Sequence, residues 1–175
     1  MIKVDPLRNP EPLIRRVYAY AAYRLGDGPE AEDATSDTFE RALRYRSTYD
    51  PRKGAPVAWL LGIARRCVDD VVAARIPGGG EPEERAAAGD LEGEAATRLD
   101  VTSAVAELDE RDRDLIALRY GADLKASQIA ELLGLRTNAV EVALHRALKR
   151  LRERLEPGEP EEPSEETVSG EVPAA

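Results

Sequence analysis

The sequence predicts an all-α protein made of two small helical domains joined by a flexible linker. Apolar residues recur at helical spacing across residues 11–75 and again across 101–155, and no stretch alternates convincingly as a half-buried strand does. Residues 77–100 combine three consecutive glycines with seven acidic and two basic residues, a composition that cannot bury a core. A chain of 175 residues is long enough for two such domains.

The first domain, residues 1–76, is expected to contain three or four helices. The first helix precedes the Gly26-Asp27-Gly28-Pro29 breaker, and its apolar stripe comprises Leu13, Ile14, Val17, Ala21 and Leu25. The second starts near Glu30, and a loop with aromatic and basic residues separates it from a third helix that runs from Val57 to about Arg75. Cys67 lies among apolar neighbours on that helix, so we expect a small buried side chain rather than a nucleophile.

The second domain, residues 101–155, contains the most informative stretch of the chain, residues 127–152. Ala130 is small where a second helix must pass close by, and Gly134 can adopt the positive φ of a sharp turn. Thr137 is expected to cap the next helix, and Val140 and Leu144 to pack it down. The pattern is that of a DNA-binding helix-turn-helix, and its alternative is an ordinary helical hairpin.

Residues 156–175 contain seven acids and no base, and they are expected to form a disordered acidic tail. The tail is either a solubilising segment or a competitor of DNA for four nearby cations, which are Lys149, Arg150, Arg152 and Arg154. The net charge of −9 is concentrated in this tail and in 77–100, so the helical segments are near neutral. The acidic balance therefore does not exclude DNA, although it predicts weak non-specific binding.

Several classes of protein are not expected. A single cysteine excludes an intrachain disulfide and a cysteine-based metal cluster. One histidine, no carboxylate–histidine constellation and no glycine-rich phosphate loop argue against an enzyme, a cofactor or a small-molecule substrate. The N-terminus has no apolar segment of signal-peptide length, and no run approaches the roughly 18 apolar residues of a membrane span. A cytoplasmic protein without membrane insertion is the resulting expectation.

Four segments together resemble the extracytoplasmic-function (ECF) group of bacterial RNA polymerase sigma factors, which keep sigma regions two and four. The segments are AEDATSDTFERAL at 31–43, AWLLGIARR at 58–66, LDERDR at 108–113 and IAELLGL at 129–135. The resemblance implies a region-two domain, a linker and a region-four domain in the order described. It also implies three partners: core RNA polymerase, promoter DNA and an anti-sigma factor.

The resemblance implies a polymerase-binding surface on the second helix, formed by Asp33, Ser36, Asp37, Phe39 and Glu40. Acidic side chains suit a basic partner surface, which in the family is the clamp helices of the largest polymerase subunit. The residues alone leave an alternative open, in which the acids form a solvated helix face with i,i+4 pairs such as Asp37–Arg41.

For the −10 promoter element, the resemblance and the chemistry of the loop imply a set of aromatic and basic residues. Aromatic rings can support an unstacked base, and arginine and lysine can hold phosphates. The set comprises Arg44, Tyr45, Arg46, Tyr49, Arg52, Lys53, Trp59, Arg65 and Arg66. The spacing of Trp59 with Ile63 also suits a core position. The family's arginine-rich continuation is replaced here by a segment containing Asp69 and Asp70.

For the −35 element, the resemblance implies the second helix of the helix-turn-helix and its start. The set comprises Arg136, Thr137, Asn138, Glu141, Val142, Arg146, Lys149 and Arg150. Glu141-Val142-Ala143 stands where the family usually has Lys-Ser-Arg. Glutamate can accept a hydrogen bond from cytosine, and an apolar side chain can contact a thymine methyl group, so base recognition would differ in detail.

The expected function is that of a sigma factor, which binds core RNA polymerase and directs promoter-specific transcription initiation. One alternative is a degenerate sigma-like regulator that binds polymerase or an anti-sigma partner with little promoter recognition. Another is a DNA-binding regulator of the response-regulator type, but residues 30–66 show no βα receiver pattern.

Overall fold

The computed structural model describes residues 5–75 and 101–156, and within these ranges it is helical with no β-strand. The first lobe consists of α1 (Pro10–Leu25), α2 (Pro29–Tyr45), a 3₁₀ turn (Arg46–Thr48) and α3 (Pro56–Ala74). In the second lobe, residues 101–106 are helical. They precede α4 (Glu110–Ile116), a π-helical turn (Ala117–Gly121), α5 (Ala126–Leu133) and α6 (Thr137–Leu155). The predicted linker, 77–100, and the predicted tail after Glu156 lie outside the described residues.

The first lobe is a three-helix bundle whose helices each begin at a proline, namely Pro10, Pro29 and Pro56. Proline suits the first helical position because its φ is already helical and its missing N–H would have no partner there. The helices pack around fully buried residues that include Val17, Leu60 and Leu61. The predicted all-α architecture is confirmed, and of the three or four helices expected in this lobe three α-helices form, with bounds shifted by one residue or so.

The predicted apolar stripe of α1 is wrong at one position. Ile14 is 44% exposed, and the buried face of α1 instead includes Tyr20 and Arg24, which are 0% and 5% exposed. The reason is that α1 packs against two partners, the helices of its own lobe and the π-helical turn of the second lobe. Tyr20 and Arg24 face the second lobe at α4, where both donate to Asp114. An apolar periodicity cannot identify them because one carries a hydroxyl and the other a charge.

The helix-turn-helix forms at the predicted turn. Gly134 ends α5 with φ +66°, and the amide of Leu135 donates to the carbonyl of Ala130 at 2.8 Å. Val140 and Leu144 are buried as expected, and they belong to the same core as Ala130. The prediction that Thr137 caps α6 is wrong, because Arg136 occupies the cap position with extended dihedrals and Thr137 is already helical. Within the described part of the chain, no side chain forms a capping hydrogen bond at the start of this helix.

The two lobes are in contact, and their buried residues form one continuous apolar cluster that includes Val17 and Leu60 with Leu118 and Leu124. Gly121 is required at the closest approach, since a Cβ there would lie 2.9 Å from the carbonyl oxygen of Ala19 on α1. The sequence did not predict this contact, because periodicity reports which face is apolar but not what covers it.

Cys67 is buried, as expected, at 2% exposure. Burial raises the pKa of its thiol above the ordinary value, so the reactive thiolate is scarce as well as inaccessible. We predict that a disulfide reagent such as DTNB reacts with the native protein at pH 8 at least about 100-fold more slowly than with the chain in urea, because access requires opening of the bundle. Cys67 is the single cysteine, so the absorbance change reports this site alone. A native rate equal to the unfolded rate would contradict its burial.

Candidate polymerase and promoter interfaces

The acidic face of α2, defined here as Asp33, Ser36, Asp37 and Glu40, lies on the solvent side of the first lobe. These positions are three and four residues apart, so they share one side of the helix, and all four are exposed. The opposite side is formed by small residues. Two buried threonines there, Thr35 and Thr38, satisfy their hydroxyls by donating to the carbonyl four residues earlier, at 2.7 and 2.6 Å. Phe39 is half-buried against the core and does not share the exposed face.

The two aspartates of this face lack ion pairs among the described residues. The i,i+4 pair Asp37–Arg41 is not formed as a hydrogen bond, because Arg41 donates to Asp70 of α3 at 3.0 Å. Glu40 is paired with Arg44 at 2.8 Å. Asp33 and Asp37 therefore present carboxylates whose charge no ion pair within the described ranges neutralises, which is the electrostatic requirement for docking on a basic surface.

Five residues line a shallow pocket of about 290 Å³ between α2 and α3, called here the aromatic–basic pocket. They are Arg41, Arg44, Tyr45, Ile63 and Arg66. The ring of Tyr45 is half-exposed, and the guanidinium groups around it can attract phosphates. Arg44, Tyr45 and Arg66 belong to the −10 set predicted from the sequence, whereas Arg41 and Ile63 were missed. The signal that could have found them is helical spacing, since Arg41 precedes Tyr45 and Ile63 precedes Arg66 by about one turn.

The other aromatic residues of the predicted −10 set support the loop between α2 and α3. The Tyr49 hydroxyl donates to the carbonyl of Gly54 at 3.1 Å, and its ring centroid lies 5.7 Å from that of Trp59. Both side chains are half-buried, so their faces are only partly available. The basic residues of this loop are all exposed, with Arg52 paired to Asp50 at 3.0 Å; they are Arg46, Arg52 and Lys53.

Arg65 and Arg66 are neighbours in sequence but face different surroundings. Arg66 is exposed at the aromatic–basic pocket, whereas Arg65 forms an ion pair with Asp114 of the second lobe at 2.9 Å. Asp69 and Asp70, which stand in place of the family's arginine-rich run, are both paired: Asp69 with Arg24 at 3.2 Å and Asp70 with Arg41 at 3.0 Å. Asp69 therefore joins α3 to α1, and Asp70 joins α3 to α2.

The predicted −35 residues lie along the solvent side of α6 and at its start. All eight are exposed, including Glu141, Val142 and Arg146 in the second and third turns. Two are paired with acids: Lys149 with Glu153 at 3.8 Å, and Arg150 with Asp112 of α4. Ala143 is half-buried against the core, so of the two apolar residues considered for a thymine methyl group, Val142 is the exposed one. Four of these residues, Asn138, Glu141, Val142 and Arg146, form what we call the outward face of α6.

Of the four cations that the tail hypothesis names, three have acidic partners within the described residues. Lys149 and Arg150 are paired as above, and Arg154 pairs with Glu107 at 3.4 Å. Arg152 is exposed. The tail itself, from residue 157, lies outside the described residues.

Among the described helices none is long and apolar enough to cross a membrane.

A first helical lobe with an acidic helix face and an aromatic–basic pocket, followed by a helix-turn-helix lobe, is the architecture of a two-region transcription factor. Comparison with protein families agrees with this class. The Sigma-70 region 2 family matches residues 11–75, and the Sigma-70, region 4 family matches residues 98–151.

Comparison with named relatives identifies the family within this class. The chain is 32% identical over 146 residues to the ECF RNA polymerase sigma factor SigK of Mycobacterium ulcerans, a match that covers 78% of each protein. It is 30% identical over 145 residues to the ECF RNA polymerase sigma factor BldN of Streptomyces coelicolor, covering 77% of this chain and 54% of BldN. The chain belongs to the ECF RNA polymerase sigma factors. These relatives favour the initiation factor over the degenerate regulator.

Solved structures support the fold. CnrH, in complex with the cytosolic domain of CnrY, superposes with a TM-score of 0.59 at 22% identity, covering 87% of this chain and 85% of CnrH. The sigma factor RpoE, in complex with the anti-sigma factor NepR from Bartonella quintana, superposes with a TM-score of 0.58 at 21% identity, covering 82% and 92%.

Proposed function

We propose that this sigma factor binds core RNA polymerase through the acidic face of α2, contacts the −10 element at the aromatic–basic pocket, and contacts the −35 element with the outward face of α6. Directing promoter-specific transcription initiation is the function of the family to which the chain belongs. The observation that carries the residue-level proposal is the exposure of three chemically distinct surfaces on two small lobes. Each lobe alone buries too little surface for tight binding, so the polymerase must hold both.

At the −10 element, the proposed task is to hold separated strands. An unstacked base needs an aromatic or apolar surface, and Tyr45 and Ile63 provide one at the pocket. Arg41, Arg44 and Arg66 would neutralise neighbouring phosphates. Tyr49 and Trp59 contact each other and hold the loop in position. The exposed cations Arg46, Arg52 and Lys53 add electrostatic attraction for the DNA backbone.

At the −35 element, α6 is proposed to enter the major groove. Its first residues, Arg136, Thr137 and Asn138, are exposed at the helix N-terminus, where backbone amides and polar side chains suit a phosphate. Further along the outward face, Glu141 and Val142 offer an acceptor for cytosine and an apolar surface for thymine, and Arg146 offers donors for guanine or a phosphate.

One further partner and a location follow from the same proposal. Since both structural neighbours were solved as complexes, one of them with an anti-sigma factor, we extend the inference to an anti-sigma partner for this chain. A protein that works with RNA polymerase acts in the cytoplasm. The proposal assigns no catalytic step and no cofactor, and sigma factors are in general non-enzymatic regulators.

The test is transcription in vitro with core polymerase and a promoter library randomised at both elements. We expect the promoters that are transcribed to share one −35 sequence and one −10 sequence. Arg146→Ala should lower the yield from the selected promoter about tenfold, because one lost DNA contact costs about 1–3 kcal/mol. Arg152→Ala is the matched control, since it removes the same charge from an exposed position of the same helix, and it should change the yield less than about twofold. Equal yields from the two variants would contradict the assignment of α6.

A further inference from the structure

A buried polar cluster joins the two lobes, and its centre is Arg24 of α1. The Arg24 side chain is only 4% exposed. Its guanidinium reaches across to α4 of the second lobe, where it pairs with Asp114 at 2.7 Å and with Glu110 at 2.6 Å. It also pairs with Asp69 of its own lobe at 3.2 Å. Two of its three carboxylate partners therefore belong to the other lobe.

Asp114 is held by three donors of the first lobe. Its Oδ1 accepts hydrogen bonds from Arg24 and, at 2.7 Å, from the Tyr20 hydroxyl, which itself accepts from Arg24 at 3.0 Å. Its Oδ2 accepts from Nε of Arg65 at 3.1 Å. Burial and the neighbouring carboxylate raise the pKa of Tyr20 well above its ordinary value, which favours the protonated hydroxyl that donates to Asp114. Both carboxylate oxygens are thus occupied by first-lobe groups.

Backbone contacts surround the cluster. Arg16 of α1 donates to the carbonyl oxygens of Ala122 at 2.6 Å and Asp123 at 2.8 Å in the second lobe. The fit at Gly121 is tight enough to exclude a methyl group. The contact between the two lobes is therefore specific.

The closed arrangement is too short for the promoter contacts proposed above. A compact body of roughly 130 residues has a radius of gyration of about 14 Å and is therefore about 35 Å across. The two promoter elements are about two helical turns apart, roughly 70 Å. The 25 residues at 76–100 reach about 80 Å when extended, so the chain length permits the lobes to separate.

We propose that Tyr20, Arg24, Arg65 and Asp114 form an intramolecular latch that holds the free sigma factor closed until the polymerase separates the lobes. Asp114 then also withholds Arg65, which belongs to the expected −10 set, from DNA. The proposal rests on the proposed function. The contact combines this charged cluster with the apolar residues that the two lobes share, and the charged groups regain their hydration when the lobes part, which makes the contact more readily reversible. The latch also lowers the apparent polymerase affinity, because only the open fraction binds.

The first test is Asp114→Asn in the full-length chain, which keeps the side-chain shape but removes the charge that binds both arginines. We expect small-angle X-ray scattering of the free variant to show a larger radius of gyration than the wild type. Its affinity for core polymerase should increase about tenfold, because a greater fraction is open. Asp123→Asn is the matched control. It removes the same charge from an exposed residue at the edge of the contact, where φ of +52° suits asparagine, and it should leave both quantities unchanged.

The second test, Gly121→Ala, opens the contact without changing any charge. The added methyl group would meet the Ala19 carbonyl, so the lobes must shift apart, while the second lobe keeps its helices. We expect expansion and tighter polymerase binding here as well. This variant keeps the proposal testable if Asp114→Asn disturbs α4, which circular dichroism would reveal.

The outcomes separate the latch from the proposed function. Expansion of both variants with tighter polymerase binding supports the latch. A compact Asp114→Asn protein, or an expanded one with wild-type affinity, overturns the latch while leaving the sigma function intact. If neither wild type nor variants bind core polymerase, the proposed function fails, and the scattering comparison still decides whether the cluster holds the lobes together.

Discussion

Reversing the charge of Asp37 is expected to weaken binding to core RNA polymerase about 100-fold while leaving the fold unchanged. Asp37 is exposed on the acidic face of α2 and has no ion pair among the described residues, so a partner cation would provide its main interaction. Asp37→Arg would place like charges together, which costs several kcal/mol at a docked interface. The measurement is equilibrium titration of the labelled protein with core polymerase, with thermal unfolding to verify the fold.

The matched control is Glu11→Arg, which makes the same charge change at an exposed position on α1. Among the described residues the ion pair of Glu11 is an exposed i,i+4 pair with Arg15 at 3.2 Å, so its loss should alter stability by less than about 1 kcal/mol. Polymerase affinity should stay within about threefold of wild type, and the difference between the two variants should shrink at high salt. If Asp37→Arg binds as well as Glu11→Arg does, polymerase docks elsewhere on the chain.

Truncating Leu60 is expected to lower the free energy of unfolding by about 3 kcal/mol. Leu60 lies on α3 with 0% exposure and belongs to the cluster that spans both lobes. Leu60→Ala removes buried methyl groups and leaves a cavity that the surrounding helices cannot fully close, which typically costs 2–5 kcal/mol. Urea unfolding followed by circular dichroism measures the shift in midpoint at an unchanged slope. Such a loss is a large fraction of the stability of a small protein.

Leu43→Ala provides the comparison, since it is the same substitution in the same lobe at a residue that is 57% exposed. Little buried surface is lost there, so a change within about 0.5 kcal/mol is expected. A similar cost for the two variants would show that Leu60 is not part of a packed core.

The helices and the turn of the helix-turn-helix were predictable because their causes are local. A proline at the first helical position and apolar spacing define α1 to α3, and Gly134 with its positive φ defines the turn. The prediction of the cap of α6 was wrong, because two local signals competed there. Thr137 is a good capping residue, but the turn after Gly134 places Arg136 at the cap position instead.

The candidate surfaces were predictable to different extents. The acidic face of α2 lies on one helix, so its four exposed members follow from 3.6-residue periodicity. The aromatic–basic pocket is built from two helices, and Arg41 and Ile63 were missed because their nearness depends on how α2 packs on α3. Their position beside Tyr45 is a property of that packing.

The sequence by itself determined the helices, their order, the helix-turn-helix and the family, because each is encoded in residues that are close together along the chain. Only the tertiary structure decided that Arg24 meets Asp114 and that Arg65 faces the second lobe. These pairs join residues 90 and 49 positions apart. The type of a charged residue does not indicate which distant residue it will pair with. Whether its side chain is buried between two lobes depends on their packing, which local periodicity does not specify.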